Sequence, residues 1–63
     1  MLIKEHRESH KMTQNELAEI LGVNRSAVAM WETGKNYPSV RQLIKLSEIF
    51  HCTIDELVKG EEK

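Results

Sequence analysis

Several things are scarce in this chain, and each scarcity closes off a class of function. There is a single cysteine, Cys52, among 63 residues, so no internal disulfide can form and no Cys pair is available for a zinc site. No apolar run approaches the roughly 20 residues that span a bilayer, and the opening Met1-Leu2-Ile3-Lys4-Glu5 has no signal-peptide core. The expectation is a cytoplasmic protein with no membrane partner. Three glycines, scattered along the chain, make no glycine-rich phosphate loop. Ser, His and Asp are not grouped as a nucleophile site, so no catalytic residue and no enzyme activity are expected. His6 and His10 share a helical face, but His-Arg-x-x-His lacks the glutamate of the zinc-protease motif. Surface or half-buried histidines, with no metal and no cofactor, are the expectation.

An excess of basic charge is missing too, since the formal net charge is −1. Nonspecific DNA affinity comes mainly from Lys and Arg on phosphates, which argues against a generic polyanion binder. Distribution matters more than the total, however. Two of the ten acids stand in the terminal Gly60-Glu61-Glu62-Lys63, away from the centre of the chain.

What is present describes a compact helical chain: 40% hydrophobic residues, 30% charged and one proline. No alternating pattern long enough for a strand occurs, and there is no internal repeat, so the fold class is all-α. Residues 1–59 read as one domain and 60–63 as a short charged tail. A domain this small buries only about 60% of its unfolded surface, and dimerisation can add to its stability.

The centre runs from Thr13 to Gly34 and reads as helix, tight turn, helix. Thr13 caps the first of these helices, and Glu16 three residues later completes a capping box. Leu17, Ile20 and Leu21 repeat at helical spacing and give it a buried face. Gly22 stops it, where a left-handed backbone costs a glycine least. Only Val23 then separates it from Asn24, the cap of a helix beginning at Arg25. Projected at about 100° per residue, Val28 and Trp31 fall on one face with Ala27 beside them. Arg25, Ser26, Ala29, Met30 and Thr33 fall on the other, a surface of small, uncharged residues and one arginine that a nucleic acid can approach closely.

On either side, Leu2 to about His10 reads as a first helix with Ile3 and His6 or Arg7 turned inward. Met12 is placed as a hydrophobic staple before Thr13. Gly34 to Pro38 is a loop. Ser39 and Gln42 cap a fourth helix whose Val40, Leu43, Ile44, Leu46, Ser47 and Phe50 follow a helical period, broadened by Ile49. Thr53 and Glu56 form a third capping box before a short fifth helix carrying Ile54, Leu57 and Val58.

These pieces resemble the phage repressor and Cro-like helix-turn-helix family, also called the xenobiotic-response-element type. The resemblance lies in Ile3-Lys4-Glu5 with Arg7, Thr13-Gln14-Asn15-Glu16-Leu17-Ala18, Leu21-Gly22-Val23, Val28-Ala29-Met30-Trp31-Glu32-Thr33-Gly34, Pro38-Ser39 and Thr53-Ile54-Asp55-Glu56-Leu57. It implies a compact five-helix repressor-like domain with the helix-turn-helix in helices 2 and 3, DNA binding as a dimer, and a role in transcription. It further implies that Gln14 contacts a phosphate and supports the third helix, that Arg25, Ser26 and Met30 occupy base-reading positions, and that Arg7 and Glu32 form an internal ion pair. The chain departs from the family at His6, where leucine is frequent, and at Lys11, where glycine is frequent.

The chemistry of the outer face fits that role. Arg25 can fork onto guanine O6 and N7 or reach a phosphate, Ser26 can bond either, and Ala29 and Met30 suit thymine methyl groups. Trp31 reads as core. Gln14, Thr33, Lys35 and Asn36 are expected on the backbone, with Asn24 beside them. The helix N-termini at Thr13 and Ser39 offer free amides to phosphate. The expected partner is a pseudo-palindromic double-stranded operator bound by a homodimer through helix 5 and the end of helix 4, where Phe50, Ile54, Leu57 and Val58 offer apolar area. Repression needs only occupancy and is the preferred outcome. The alternative is a protein-interaction module of the same fold, such as an antitoxin-like or accessory subunit.

Overall fold

Four of the five described helices begin where side chains can take up the orphan amides of a first turn. A computed structural model describes residues 1–59, as α1 (Ile3–Ser9), α2 (Gln14–Leu21), α3 (Arg25–Thr33), α4 (Val40–Phe50) and α5 (Ile54–Lys59). The tail expected at 60–63 lies outside the described residues. All three capping boxes form. Thr13 Oγ1 accepts from the Glu16 amide at 3.0 Å while Glu16 accepts from the Thr13 amide at 2.9 Å. Ser39 with Gln42 and Thr53 with Glu56 repeat the exchange before α4 and α5. Asn24 Oδ1 caps α3 by accepting from the Ala27 amide at 3.1 Å. Leu2, ahead of α1, has no side-chain cap, and its amide instead donates to the Leu57 carbonyl at 2.8 Å, which ties α5 to the start of the chain.

The ends of α1 to α4 share one device, a residue in the left-handed region that turns the chain back on the last carbonyls. After α2 it is Gly22 (φ 74°), with the Val23 amide donating to the Ala18 carbonyl at 3.0 Å, and after α3 it is Gly34 (φ 81°), with Lys35 donating to Met30 at 3.0 Å. After α1 the same turn is made by Lys11 (φ 57°) and after α4 by His51 (φ 55°), with Met12 donating to Arg7 and Cys52 to Ser47. Such turns place an apolar residue just beyond the left-handed one. Here Met12, Val23 and Cys52 all pack against the core from that position. At Lys11 the backbone takes a φ of 57° that a glycine would adopt without strain, and the lysine there carries that strain.

Ile3, Leu17, Ala18, Leu21, Val28, Trp31, Leu46, Phe50 and Leu57 form one buried cluster drawing on every helix. Three sequence expectations are corrected by it. Ile20 is 57% exposed, because it lies about 100° around α2 from the centre of the Leu17, Ala18 and Leu21 face. Val40 and Ile44 are exposed on α4 for the same reason, lying roughly 100° or more from the Leu46 and Phe50 side. Phe50 and Leu57, expected at a dimer surface, are buried in the chain's own core. Of that apolar set Ile54 and Val58 remain exposed. The inward place left open between His6 and Arg7 is taken by Arg7, and His6 is half-buried with its ring stacked on Phe50 at 5.5 Å.

The left-handed turns give a testable contrast. Nothing lies within 4 Å of a Cβ built at Gly22, so Gly22→Ala should lose about 1 kcal/mol through backbone strain alone. Lys11→Gly should gain about 0.5 kcal/mol, strain relief offset by unfolded-chain entropy. Urea unfolding of the two variants measures both; equal and opposite signs to these would place the strain elsewhere.

Candidate nucleic-acid interface

The turn between α2 and α3 has no slack. Gly22 reverses the chain, Val23 packs inward and Asn24 already caps the next helix. With Val28 and Trp31 buried, α3 must present Arg25, Ser26, Met30 and Thr33 to solvent, and it does, with Ala29 half-buried between them. Met30 is 37% exposed, so its side chain stands in solvent on this face.

Local bonds set what each side chain can present. Ser26 Oγ donates to Asn24 Oδ1 at 2.9 Å, so while that bond holds Ser26 offers lone pairs, not its proton. Asn24 is thereby committed to the cap, accepting from both Ser26 and Ala27. The Thr33 hydroxyl donates back to the Ala29 and Met30 carbonyls at 3.2 and 3.3 Å. Beyond it the Gly34 turn sends Lys35 and Asn36 out from the end of α3, both exposed, and Asn36 Oδ1 accepts from the Tyr37 amide. Lys35 is thus the charged group at that edge.

The two helix N-termini differ. Each capping box takes up two amides, leaving those of the next two residues without an intrahelical partner. At α2 the box carries the Glu16 carboxylate, which opposes an incoming phosphate. At α4 the reciprocal group is the neutral Gln42, and Arg41 is exposed beside it. The start of α4 is therefore the better anion-facing end.

Behind α3 the internal ion pair is present. Arg7 Nε donates to Glu32 Oε2 at 2.7 Å and Arg7 Nη2 to Oε1 at 3.3 Å, with side chains only 10% and 5% exposed. Arg7 Nη1 also donates to the Met12 carbonyl at 2.8 Å. The hydrogen bonds and charge of Glu32 push the Arg7 pKa above its ordinary value against the opposing effect of burial, and Glu8 adds a little. Among the described residues no buried side-chain polar atom lacks a partner.

Two bonds escaped the sequence reading. Gln14 Nε2 donates to Glu32 Oε1 at 3.0 Å, and Arg25 Nη1 donates to Gln14 Oε1 at 3.2 Å. Gln14 does support the third helix, through its last turn and its first. Positions 14, 25 and 32 lie far apart in sequence, and no local pattern connects them.

His6 and His10 also find ordinary work, both rings lying on Phe50 at 5.5 and 5.3 Å. Among the described residues no group of three or more His, Cys, Asp or Glu is placed to hold a metal. No described helix is long and apolar enough to cross a membrane.

A helix braced from behind, its outer face free and its angle to a partner helix set by the three-residue turn Gly22-Val23-Asn24, defines a helix-turn-helix module. The chain belongs to the helix-turn-helix family, whose model matches residues 3–57. It is 45% identical over 60 residues to the HTH-type transcriptional activator BcrR of Enterococcus faecalis, covering 95% of this chain and 29% of that protein. It is 37% identical over 59 residues to the uncharacterized HTH-type transcriptional regulator YqaE of Bacillus subtilis, covering 94% and 51%. The chain thus spans about half or less of the length of these two relatives. A solved structure of the P22 c2 repressor protein in complex with a synthetic operator superposes with a TM-score of 0.85 at 32% identity, covering 94% of this chain and 89% of that one.

Two measurements probe the packing behind the interface. Arg7→Ala leaves Glu32 buried without its partner and should cost about 3–5 kcal/mol, whereas the double change Arg7→Met with Glu32→Leu should recover most of that. Urea midpoints of the single and double variants decide it, and a loss under 1 kcal/mol for Arg7→Ala would mean the carboxylate escapes to water. Cys52 gives a pH effect. Burial, with a smaller contribution from Glu56, raises its thiol pKa, so the folded chain keeps a proton that the unfolded chain has released. Stability should be full below the ordinary thiol value of about 8.5 and fall as pH rises through it. Cys52→Ala should flatten that decline in unfolding free energy measured between about pH 7.5 and 9.5.

Proposed function

We propose that this chain is a sequence-specific double-stranded DNA-binding transcriptional regulator, a repressor acting by occupancy in the cytoplasm, that reads the major groove with α3. The observation carrying this reading is the division of α3 itself. Val28 and Trp31 are held in the core, while Arg25, Ser26, Met30 and Thr33 stand exposed on the other side. The likeness to a repressor solved on its operator and to named transcriptional regulators supports it. Arg25 reads guanine through its fork, Met30 and Ala29 meet thymine methyl groups, and Ser26 and Asn24 lie at the groove edge. Gln14, Thr33, Lys35 and Asn36 position the protein on the backbone.

Two copies bind together. The surface that joins them is built on Ile54 and Val58 of α5, since Phe50 and Leu57 are already spent on the core. A pair of copies brings two reading helices to successive turns of the duplex and doubles the contacts of a nearly neutral chain.

Selection from random duplexes should return a pseudo-palindrome with half-sites about 34 Å apart. Arg25→Ala should cost about 1–3 kcal/mol on that site and relax one position per half-site. Affinity should fall with salt, with a shallower slope than a strongly basic domain of this size shows. Recovery of no enriched sequence at moderate salt would favour the protein-interaction alternative, and a flat salt response would remove phosphate contacts from the account.

A further inference from the structure

A serine hydroxyl on a protein surface usually takes either role in a hydrogen bond, since it carries one proton and two lone pairs. Ser26 is exposed on the outer side of α3, yet its hydroxyl is not free to choose. The Ala27 amide donates to Asn24 at 3.1 Å, which identifies the receiving atom as the carboxamide oxygen and not the nitrogen. Ser26 Oγ lies 2.9 Å from that same oxygen. Two oxygens this close share a proton, and of the two only the hydroxyl has one to give. The cap of α3 therefore holds the Ser26 proton, and both lone pairs are left for whatever approaches the helix.

We infer that Ser26 is a specificity-determining residue that selects a base by its amino group, accepting from adenine N6 or cytosine N4 and discriminating against guanine and thymine. This rests on the reading of α3 as the recognition helix and deepens it by assigning the chemistry that one of its positions recognises. In the major groove adenine and cytosine present an N–H donor where guanine and thymine present a carbonyl oxygen. An oxygen whose proton is committed meets the amino group as an acceptor, but sets lone pairs against a carbonyl. To donate to guanine O6 or thymine O4 the hydroxyl must give up Asn24, so a keto base gains one bond by losing another. The difference is one net hydrogen bond, about two- to tenfold in affinity. Every base pair carries one amino and one keto group at these positions, so the preference fixes which strand holds which. Arg25 beside it has donors only and suits the opposite pattern, the O6 and N7 acceptors of guanine. Two successive residues of α3 thus demand opposite polarities, and Asn24 is the positioning residue that sets the second.

Selection from random duplexes with the parent chain should show adenine or cytosine favoured over guanine or thymine, at one position per half-site, by about two- to tenfold. Ser26→Ala should erase that preference and leave the other positions as they were. Asn24→Gly removes the acceptor at little cost to the cap. It frees the hydroxyl to donate, and the same preference should fall below about twofold. Asn24→Asp keeps an oxygen in place and should retain the preference, even where its added charge lowers affinity for every sequence alike. A preference for keto bases at this position, one that survives Asn24→Gly, or an unchanged profile in Ser26→Ala overturns the proposal. The free protein gives a second readout, because Hα–Hβ couplings of Ser26 should report a single χ1 rotamer in the parent and averaging in Asn24→Gly. Averaged couplings in the parent overturn it too. If an operator emerges with no amino preference tied to Ser26, this assignment falls and the DNA reading stands. If no sequence is enriched, the DNA reading falls and takes the assignment with it.

Discussion

The ion pair of Arg7 and Glu32 is the constraint on which the arrangement depends. Nonlocal packing in so small a chain is limited, and apolar contacts alone are nondirectional, so they would let α1 slide over the helix pair. A bidentate fork between α1 and the last turn of α3 does not slide. Its third donor, on the Met12 carbonyl, fixes the exit from α1 just before the cap of α2. One guanidinium thus sets the relation of three helices. Because a buried charge pair gains little against an apolar equivalent, its value lies more in uniqueness than in stability.

That geometry also bears on how a chain with a formal charge of −1 can face a polyanion. Acids are not spread evenly with respect to function. Glu32 is buried against Arg7, and Glu16 and Glu56 are folded back onto the amides they cap. The exposed side of α3 carries Arg25 and no acid, and Lys35 and Arg41 follow at its far edge. A surface that is locally positive, closely approachable and low in total charge favours discrimination among sequences over tight binding to any of them, since the sequence-independent part of the affinity scales with phosphates neutralised.

Much of this was legible in the order of residues because the signals were local. Capping boxes at Thr13, Ser39 and Thr53, glycines at 22 and 34, and the Val28 and Trp31 spacing each act within one turn of helix, so helix bounds and the inner face of α3 came out in place. The reading failed where burial depends on a neighbour. Ile20, Val40 and Ile44 are apolar and near the helical period, yet no element covers their side of α2 or α4. Phe50 and Leu57 looked surplus until α5 was seen to close over α1 through the Leu2 amide. At the site, the exposed outer side of α3 and the Arg7 and Glu32 pair were visible, the pair only through resemblance. The link through Gln14 was not, because it joins three positions by side-chain hydrogen bonds that leave no periodic trace.

Rigidity explains why the left-handed turns matter to function and not only to folding. Three of the four pin an apolar residue, Met12, Val23 or Cys52, against the core just past a helix end, so those joints between helices are packed rather than free. Where a glycine makes the turn, around α3, the backbone sits without strain; where Lys11 and His51 make it, the strain falls at the outer joints. Helix α3 is thus bounded on both sides by the least strained of the described connections, and its position is set by packing and the buried fork rather than by a hinge. An outer face held this way has little left to order on meeting a ligand, which keeps the conformational cost of binding small.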